Sequence, residues 1–230
     1  MKLTGCLSRG ELEEAIESGQ IETVMTVFPD LYGRLMGKRM VGRFFMDEIA
    51  SGAWHACDYL LASDMEMVPT EGFGFTSWES GYGDMRAVPD WESVRVAAWL
   101  EKTAIVMCDL IEEEQNLPIA VAPRSILQAQ LARASERGVL PHFASELEFF
   151  LFKDTFESAR SKGYSGLELS QDYNEDYHIL SSGFAEPVLG SIRRGVDASG
   201  IPVEFSKGEA SPGQHEINLR YAEAMEMADR

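Results

Sequence analysis

The chain has 230 residues, 45% of them apolar, enough for one large domain or two modest ones around a real core. Thirty-eight acidic side chains against 20 basic ones leave a net charge of −18. That balance argues against nucleic acid or an anionic membrane as a partner, because phosphate binding needs a basic footprint. Cys6, Cys57 and Cys108 are widely spaced and form no CxxC pair, which points away from a disulfide framework or a structural zinc site. Leu3-Thr4-Gly5-Cys6 has the look of a lipid-attachment box but lies too near the start to follow an apolar leader. No apolar run reaches the roughly 18 residues of a membrane span, so the expectation is a soluble protein of a reducing cytoplasm.

In chain order, Leu12, Ala15 and Ile16 predict a short helix over residues 11–18, closed by Gly19. Residues 21–28 (IETVMTVF) read as a strand, residues 29–33 as a turn, and 34–41 as the returning strand of a hairpin. Helix is expected over 44–49, a short strand over 65–68, and a longer one over 104–110. Residues 69–89, rich in glycine and aromatics, read as a functional loop. IEEEQNLP at 111–118 breaks the pattern and marks the candidate boundary between a domain over 1–112 and another over 118–230.

In the second half, Pro123-Arg124-Ser125 opens a predicted strongly amphipathic helix that stops at Gly138. HFASELEFFLF (142–152) reads as a strand with aromatics on both faces, as in a buried sheet. A helix is predicted over 186–199 with Gly200 as its cap, strands over 201–206 and 214–220, and a helix from 221. That helix is still running at Arg230, so the chain reads as cut rather than finished.

Chemistry concentrates in two places. Glu146 and Glu148, two apart in a strand, emerge on one face. Two adjacent carboxylates in a dry setting repel unless one is protonated or a cation sits between them; in a wet setting they only add charge. The second place is GEASPGQHE (208–216), where Pro212-Gly213 marks a turn between Glu209 and Glu216. Gln214, Glu216, Asn218 and Arg220 then share one strand face, which can lie at the surface or line a polar cavity. His215 alternates to the other face, to pack with Ile217 or to serve as a ligand. Oxygen-rich clusters suit Mg2+ or Mn2+ rather than zinc.

Together these segments resemble the glutamine synthetase family. ELEFFLF (146–152) resembles its first metal-binding strand and EASPGQHE (209–216) its second metal segment, continued by NLRYAEAMEMADR. Pro123-Arg124-Ser125 resembles the start of its catalytic domain, and FPDLYGRLMGK (28–38) its N-terminal hairpin. The resemblance implies an α+β fold, with a small β-grasp-like N-terminal domain followed by the first part of a catalytic α+β barrel. It implies an ATP-dependent ligase of nitrogen metabolism that phosphorylates the γ-carboxylate of glutamate and captures the acyl phosphate with an amine. Glu148, Glu209 and Glu216 would hold one Mg2+ or Mn2+, Glu146 would contribute to a second, and Glu209 also counts with Asp58 and Tyr177 as catalytic. Full-length subunits would form homo-oligomeric rings in which Asp58 serves a neighbour's site.

Two departures shape the expectation further. Where the family carries an Asp followed by small residues and serines for ammonia, this chain has His55-Ala56-Cys57-Asp58-Tyr59-Leu60-Leu61. Leucines serve a bare ammonium ion poorly, so an organic amine or polyamine is preferred over ammonia. The family's remaining site elements would follow residue 230. The chain alone is therefore expected to bind divalent ions weakly, to lack ligase activity and to associate. The alternative is a non-catalytic truncated relative that binds metal or modulates a complete enzyme.

Overall fold

A computed structural model describes residues 3–79 and 81–230. The elements run α1 (Arg9–Glu17), β1 (Thr23–Pro29), β2 (Leu35–Val41), α2 (Gly42–Phe44, continuing as a π-helical turn over Phe45–Ile49), β3 (Trp54–Cys57), β4 (Asp84–Pro89), β5 (Arg95–Val96) and β6 (Thr103–Glu112). They continue as α3 (Pro123–Ser135), β7 (His142–Phe150), α4 (Phe156–Ser161), α5 (Glu186–Ala198), β8 (Val203–Gly208), β9 (Gln214–Glu223) and α6 (Ala224–Asp229). The architecture is mixed α+β and divides into two compact units: the chain up to Pro141 together with Glu223–Arg230, and His142–Ala222.

The first unit is built on one sheet in the order β2-β1-β6-β4-β3, with β5 added to β6. β1 pairs antiparallel with β2 and parallel with β6. Strand periodicity sorts the apolar run of β1 onto two faces. Val24 and Phe28 join the main core with Leu12, Ile16 and Val106, whereas Met25 and Val27 pack with Ile105, Met107 and Ala97 in a second cluster. Full burial of such side chains is worth about 1.5–3 kcal/mol each, so β1 and β6 are the centre of this unit. The predicted hairpin is present. Its turn is held by buried Asp30, which accepts from the backbone of Tyr32 and Arg34 at 2.9 Å each and from Arg34 Nε at 2.7 Å. The first helix starts two residues before the predicted bound because Ser8 and Glu11 form a reciprocal capping box.

Three expectations fail here. Residues 65–68 form no strand: Asp64 Oδ1 accepts from the backbone of Glu66 and Val68, at 2.9 and 3.0 Å, and curls the segment into a turn with Met67 at φ +63°. The loop predicted over 69–89 ends early, since its last six residues are β4, with Met85, Ala87 and Pro89 buried between β3 and β6. Helix α3 forms where predicted but lacks a strongly apolar face; its buried residues are Arg124 and Ser125 at the first turn.

Arg124 explains that burial. Only 5% exposed, it reaches Asp90 Oδ2 at 2.6 Å and Asp109 Oδ1 at 2.9 Å and also grips Asp229. One guanidinium thereby ties α3, β6, the segment after β4 and α6.

The second unit is a three-stranded sheet in the order β7-β9-β8 with α5 against it; Leu189 and Ile217 form the centre of its core. β7 is an edge strand, and its apolar side chains are not buried as predicted: Phe143, Leu147 and Phe150 are exposed and Phe149 is partly covered. β8 runs two residues later than predicted, and β9 extends to Glu223, so the last helix begins at Ala224 rather than 221. After β7, Asp154 gathers Lys162 Nζ at 2.5 Å, Ser158 Oγ at 2.7 Å and the Glu168 backbone at 2.6 Å, which together hold its carboxyl down at about 2.

Two outcomes test this account. Arg124→Met leaves buried Asp229 without its counter-charge and should destabilise the first unit by about 3–5 kcal/mol in denaturant unfolding. Asp154 has a folded pKa below its unfolded value, so its contribution is full above pH 4 and fades as pH falls toward 2. The difference in melting temperature between the parent and Asp154→Asn should shrink over that window.

Candidate metal and amine sites

The hairpin from β8 to β9 sets the acidic site. Antiparallel register places Lys207 opposite Glu216 and Gly208 opposite His215. The turn between them is closed by Gly213 at φ +71°, a left-handed conformation that glycine adopts at no steric cost. Directly opposed residues on one sheet face bring their side chains together, and Lys207 and Glu216 meet this way, Nζ to Oε2 at 3.5 Å. Lys207 also grips Glu209, lies 3.5 Å from Asp176 Oδ1 and donates to the Gly208 carbonyl at 3.3 Å. Its ammonium stands 4.5 Å from the centre of the Tyr177 ring.

The electrostatics follow from that crowding. Burial works against a charged lysine, but the hydrogen bonds and charges of Glu209 and Glu216 outweigh it, and Lys207 is raised above its ordinary value. A side-chain hydrogen bond between Glu209 and Glu216 lowers the first carboxyl and raises the second, so Glu216 is the one that takes a proton more readily. This is the behaviour of two carboxylates sharing one site.

Of the predicted residues, Glu209 and Glu216 are brought together. Glu148 is drawn alongside β9 by accepting from Gln214 Nε2 at 2.7 Å, and Glu146 lies exposed two residues earlier on β7. Among the described residues, no group of three or more His, Cys, Asp or Glu side chains stands close enough to hold a metal. The donors that do meet are all carboxylate oxygens grouped around one positive charge, supplied by Lys207, and that chemistry fits a hard divalent cation.

His215 turns away from Glu216, as its position in the strand predicts. It is fully buried against the Phe149 ring, with Nε2 3.8 Å from Glu175 Oε2, itself fully buried. Neither side chain has a hydrogen-bond partner among the described residues. Burial lowers the His215 pKa, and the nearby Glu175 charge only partly restores it. Residues 174–178 are stitched to the same hairpin: Asp176 bridges to Gly208, and Asn174 Nδ2 donates to the Ala210 carbonyl at 3.1 Å. A Cβ at Gly208 would lie 2.6 Å from the Glu175 carbonyl oxygen. The stitch carries Tyr177, at φ +53°, to its place over Lys207. Lys207, Asp176 and the Glu175–His215 contact had no signal in the sequence beyond the alternation of β8 and β9.

Asp58 belongs to the first unit. It follows β3 directly; its carboxylate accepts from Thr76 Oγ1 at 2.7 Å and from the Gly83 backbone at 3.0 Å.

The two-unit chain has clear relatives. Residues 120–230 match the glutamine synthetase catalytic domain family. A γ-glutamylethanolamide synthetase of Streptomyces coelicolor is 42% identical over 220 residues, covering 96% of this chain and 47% of that protein. A glutamate–isopropylamine ligase of a Pseudomonas species is 28% identical, covering 95% and 48%. The ADP complex of the protein GmaS superposes with a TM-score of 0.71 at 26% identity, over 95% of this chain and 46% of that one. The chain thus spans about half the length of the relatives it matches.

If Lys207 is the internal counter-cation of Glu209 and Glu216, Lys207→Met should lower the melting temperature without divalent ions. The same variant should enlarge the rise in melting temperature that Mn2+ produces. With its sequence, its fold and its paired glutamates taken together, the chain belongs to the glutamine synthetase family, a family of ligases.

Proposed function

We propose that this chain is part of an ATP-dependent ligase that joins the γ-carboxyl of glutamate to an organic amine. The observation that carries the reading is the 42% identity, over nearly all of this chain, to a γ-glutamylethanolamide synthetase. The Glu209–Glu216 pair within that matched span supports it. In the reaction, a γ-carboxylate oxygen attacks the terminal phosphorus of ATP and ADP leaves. The amine nitrogen then attacks the acyl carbon, phosphate departs, and the amine nitrogen gives up a proton.

Glu148, Glu209 and Glu216 would hold one Mg2+ or Mn2+, and Glu146 would contribute to a second. Such an ion supplies neutralisation of charge on the transferring phosphoryl group. Tyr177, fixed over Lys207, and Asp58, fixed by Thr76 and Gly83, are the groups proposed to orient the amine and receive its proton. With Glu209 they form the proposed catalytic set. Asp58 and the carboxylates lie in separate compact units, an arrangement compatible with a ring in which one subunit's Asp58 serves the next subunit's site.

The proposed domain boundary remains at 112–118, supported by a family match that starts at residue 120. The parallel pairing of β1 with β6 around a leading hairpin supports a β-grasp-like first domain. No helix among the described residues is long and apolar enough to cross a membrane.

Two measurements test the reading. Titration with Mn2+ followed by electron paramagnetic resonance should show binding that weakens at least tenfold in Glu209→Gln and Glu216→Gln. Phosphate release by the complete ligase carrying this chain should depend on glutamate together with ethanolamine or a related amine. Strict dependence on ammonia would refute the organic-amine assignment.

A further inference from the structure

The loop between β3 and β4 carries aromatic surface that the fold does not use. Trp78 is 82% exposed and Tyr82 39% exposed. They touch edge-to-face, with ring centres 6.1 Å apart, and Tyr82 meets Tyr59 the same way at 5.7 Å. The three rings form one connected patch.

That patch is placed by the hydrogen bonds of Asp58. Tyr59 directly follows Asp58, Tyr82 directly precedes Gly83, and Trp78 stands two residues after Thr76. Gly83 and Thr76 are the two donors that fix the Asp58 carboxylate, and the Asp58 backbone donates back to the Gly83 carbonyl at 3.0 Å. Each aromatic residue is therefore within two positions of the carboxylate or of a group holding it. The Asp58 oxygens also lie against the Gly83 backbone, since a Cβ there would come within 3.4 Å of Oδ2. An anion fixed by two hydrogen bonds is thus flanked in the chain by the residues of a connected aromatic patch, two of whose rings are exposed.

The chemistry such a pair recognises is specific. A carboxylate draws any ammonium ion, whereas aromatic faces add attraction for a cation and apolar contact for the carbon attached to it. A bare ammonium ion, small and strongly hydrated, gains from the carboxylate but has no carbon to lay on a ring.

We propose that Asp58, Tyr59, Trp78 and Tyr82 form a recognition site for organic ammonium ions, in which the carboxylate takes the charge and the rings take the carbon-bearing arm. The inference rests on the ligase reading above and deepens it by naming the residues that choose the amine. Tyr59, Trp78 and Tyr82 are specificity-determining residues, and the rings favour a primary amine bearing a short carbon arm over ammonia.

The test is a titration of this chain followed by nuclear magnetic resonance, reading the Trp78 indole N–H and the Gly83 amide. The probes are ethanolammonium, isopropylammonium and ammonium chlorides at matched ionic strength. Both signals should shift saturably with the two organic ions at concentrations where ammonium shifts them far less, and Asp58→Asn should abolish the response. Trp78→Ala and Tyr82→Ala should each weaken organic-ion binding about threefold to tenfold, while Trp78→Phe, which keeps a ring, restores most of it. The high exposure of Trp78 makes a folding failure easy to exclude from the rest of the spectrum.

Equal responses to ammonium and organic ions would overturn the proposal, as would variants that bind like the parent. Shifts at Trp78 that follow protein concentration and ignore amines would assign the patch to self-association instead, and would also overturn it. Amine-dependent phosphate release by the complete ligase separates this from the broader reading. Use of organic amines with a preference unchanged by Trp78→Ala removes only the aromatic site, whereas use of ammonia alone removes the reading itself.

Discussion

A single cation that gathers several carboxylates, buried in one unit and half-buried in the other, is the interaction on which both units depend. In a chain with a net charge of −18, acidic groups outnumber their partners and must share them. Arg124 does this for Asp90, Asp109 and Asp229, and Lys207 for Glu209 and, at longer range, Glu216 and Asp176. The two devices differ in purpose. The planar guanidinium of Arg124 reaches three carboxylates in fixed directions and locks helices to the sheet. The flexible ammonium of Lys207 is a compact point charge on a mobile stem.

The second site also shows how a polar cluster is shaped from beneath. Glu175 and His215 lie fully buried on the far side of β9 from Glu216, their side chains 3.8 Å apart and without hydrogen bonds among the described residues. Unsatisfied buried polar groups are costly, and an apolar pair would fill the same space more cheaply. The pair packs beneath the point where the Asp176–Gly208 bridge and the Asn174–Ala210 hydrogen bond join residues 174–178 to the hairpin, so that Tyr177 and the two glutamates are held by one local structure. The groups proposed to bind metal and to handle the amine thereby share the backbone of β8 and β9.

Much of this was legible in the residues. Runs such as IETVMTVF and AIVMCDL carry the β-branched content and alternation of sheet, and Gly19, Gly138 and Gly200 stop their helices at positive φ as the pattern requires. The spacing of Glu209 and Glu216 around Pro212-Gly213 placed them on either side of a hairpin. Less local features stayed hidden. β3 and β4 are short and half polar, and they become strands only because each finds a neighbour in the sheet. Val68 and its neighbours have strand-like composition, but one Asp64 side chain decides for a turn. The exposure of β7 depends on what covers its edge, which no pattern within the strand records. The contacts of Lys207 and Glu175 cross from one segment to another, and sequence spacing says nothing about them.

Gly208 gives the second unit a separable control point. Residues 174–178 approach β8 so closely there that any side chain would collide with the Glu175 backbone, yet Gly208 itself contributes no group to the carboxylate cluster beyond its carbonyl. Enlarging it would force β8 and residues 174–178, which carry Tyr177, apart. For protein engineering, this makes one close backbone approach a place where the shape of the hairpin can be altered without editing the carboxylates themselves.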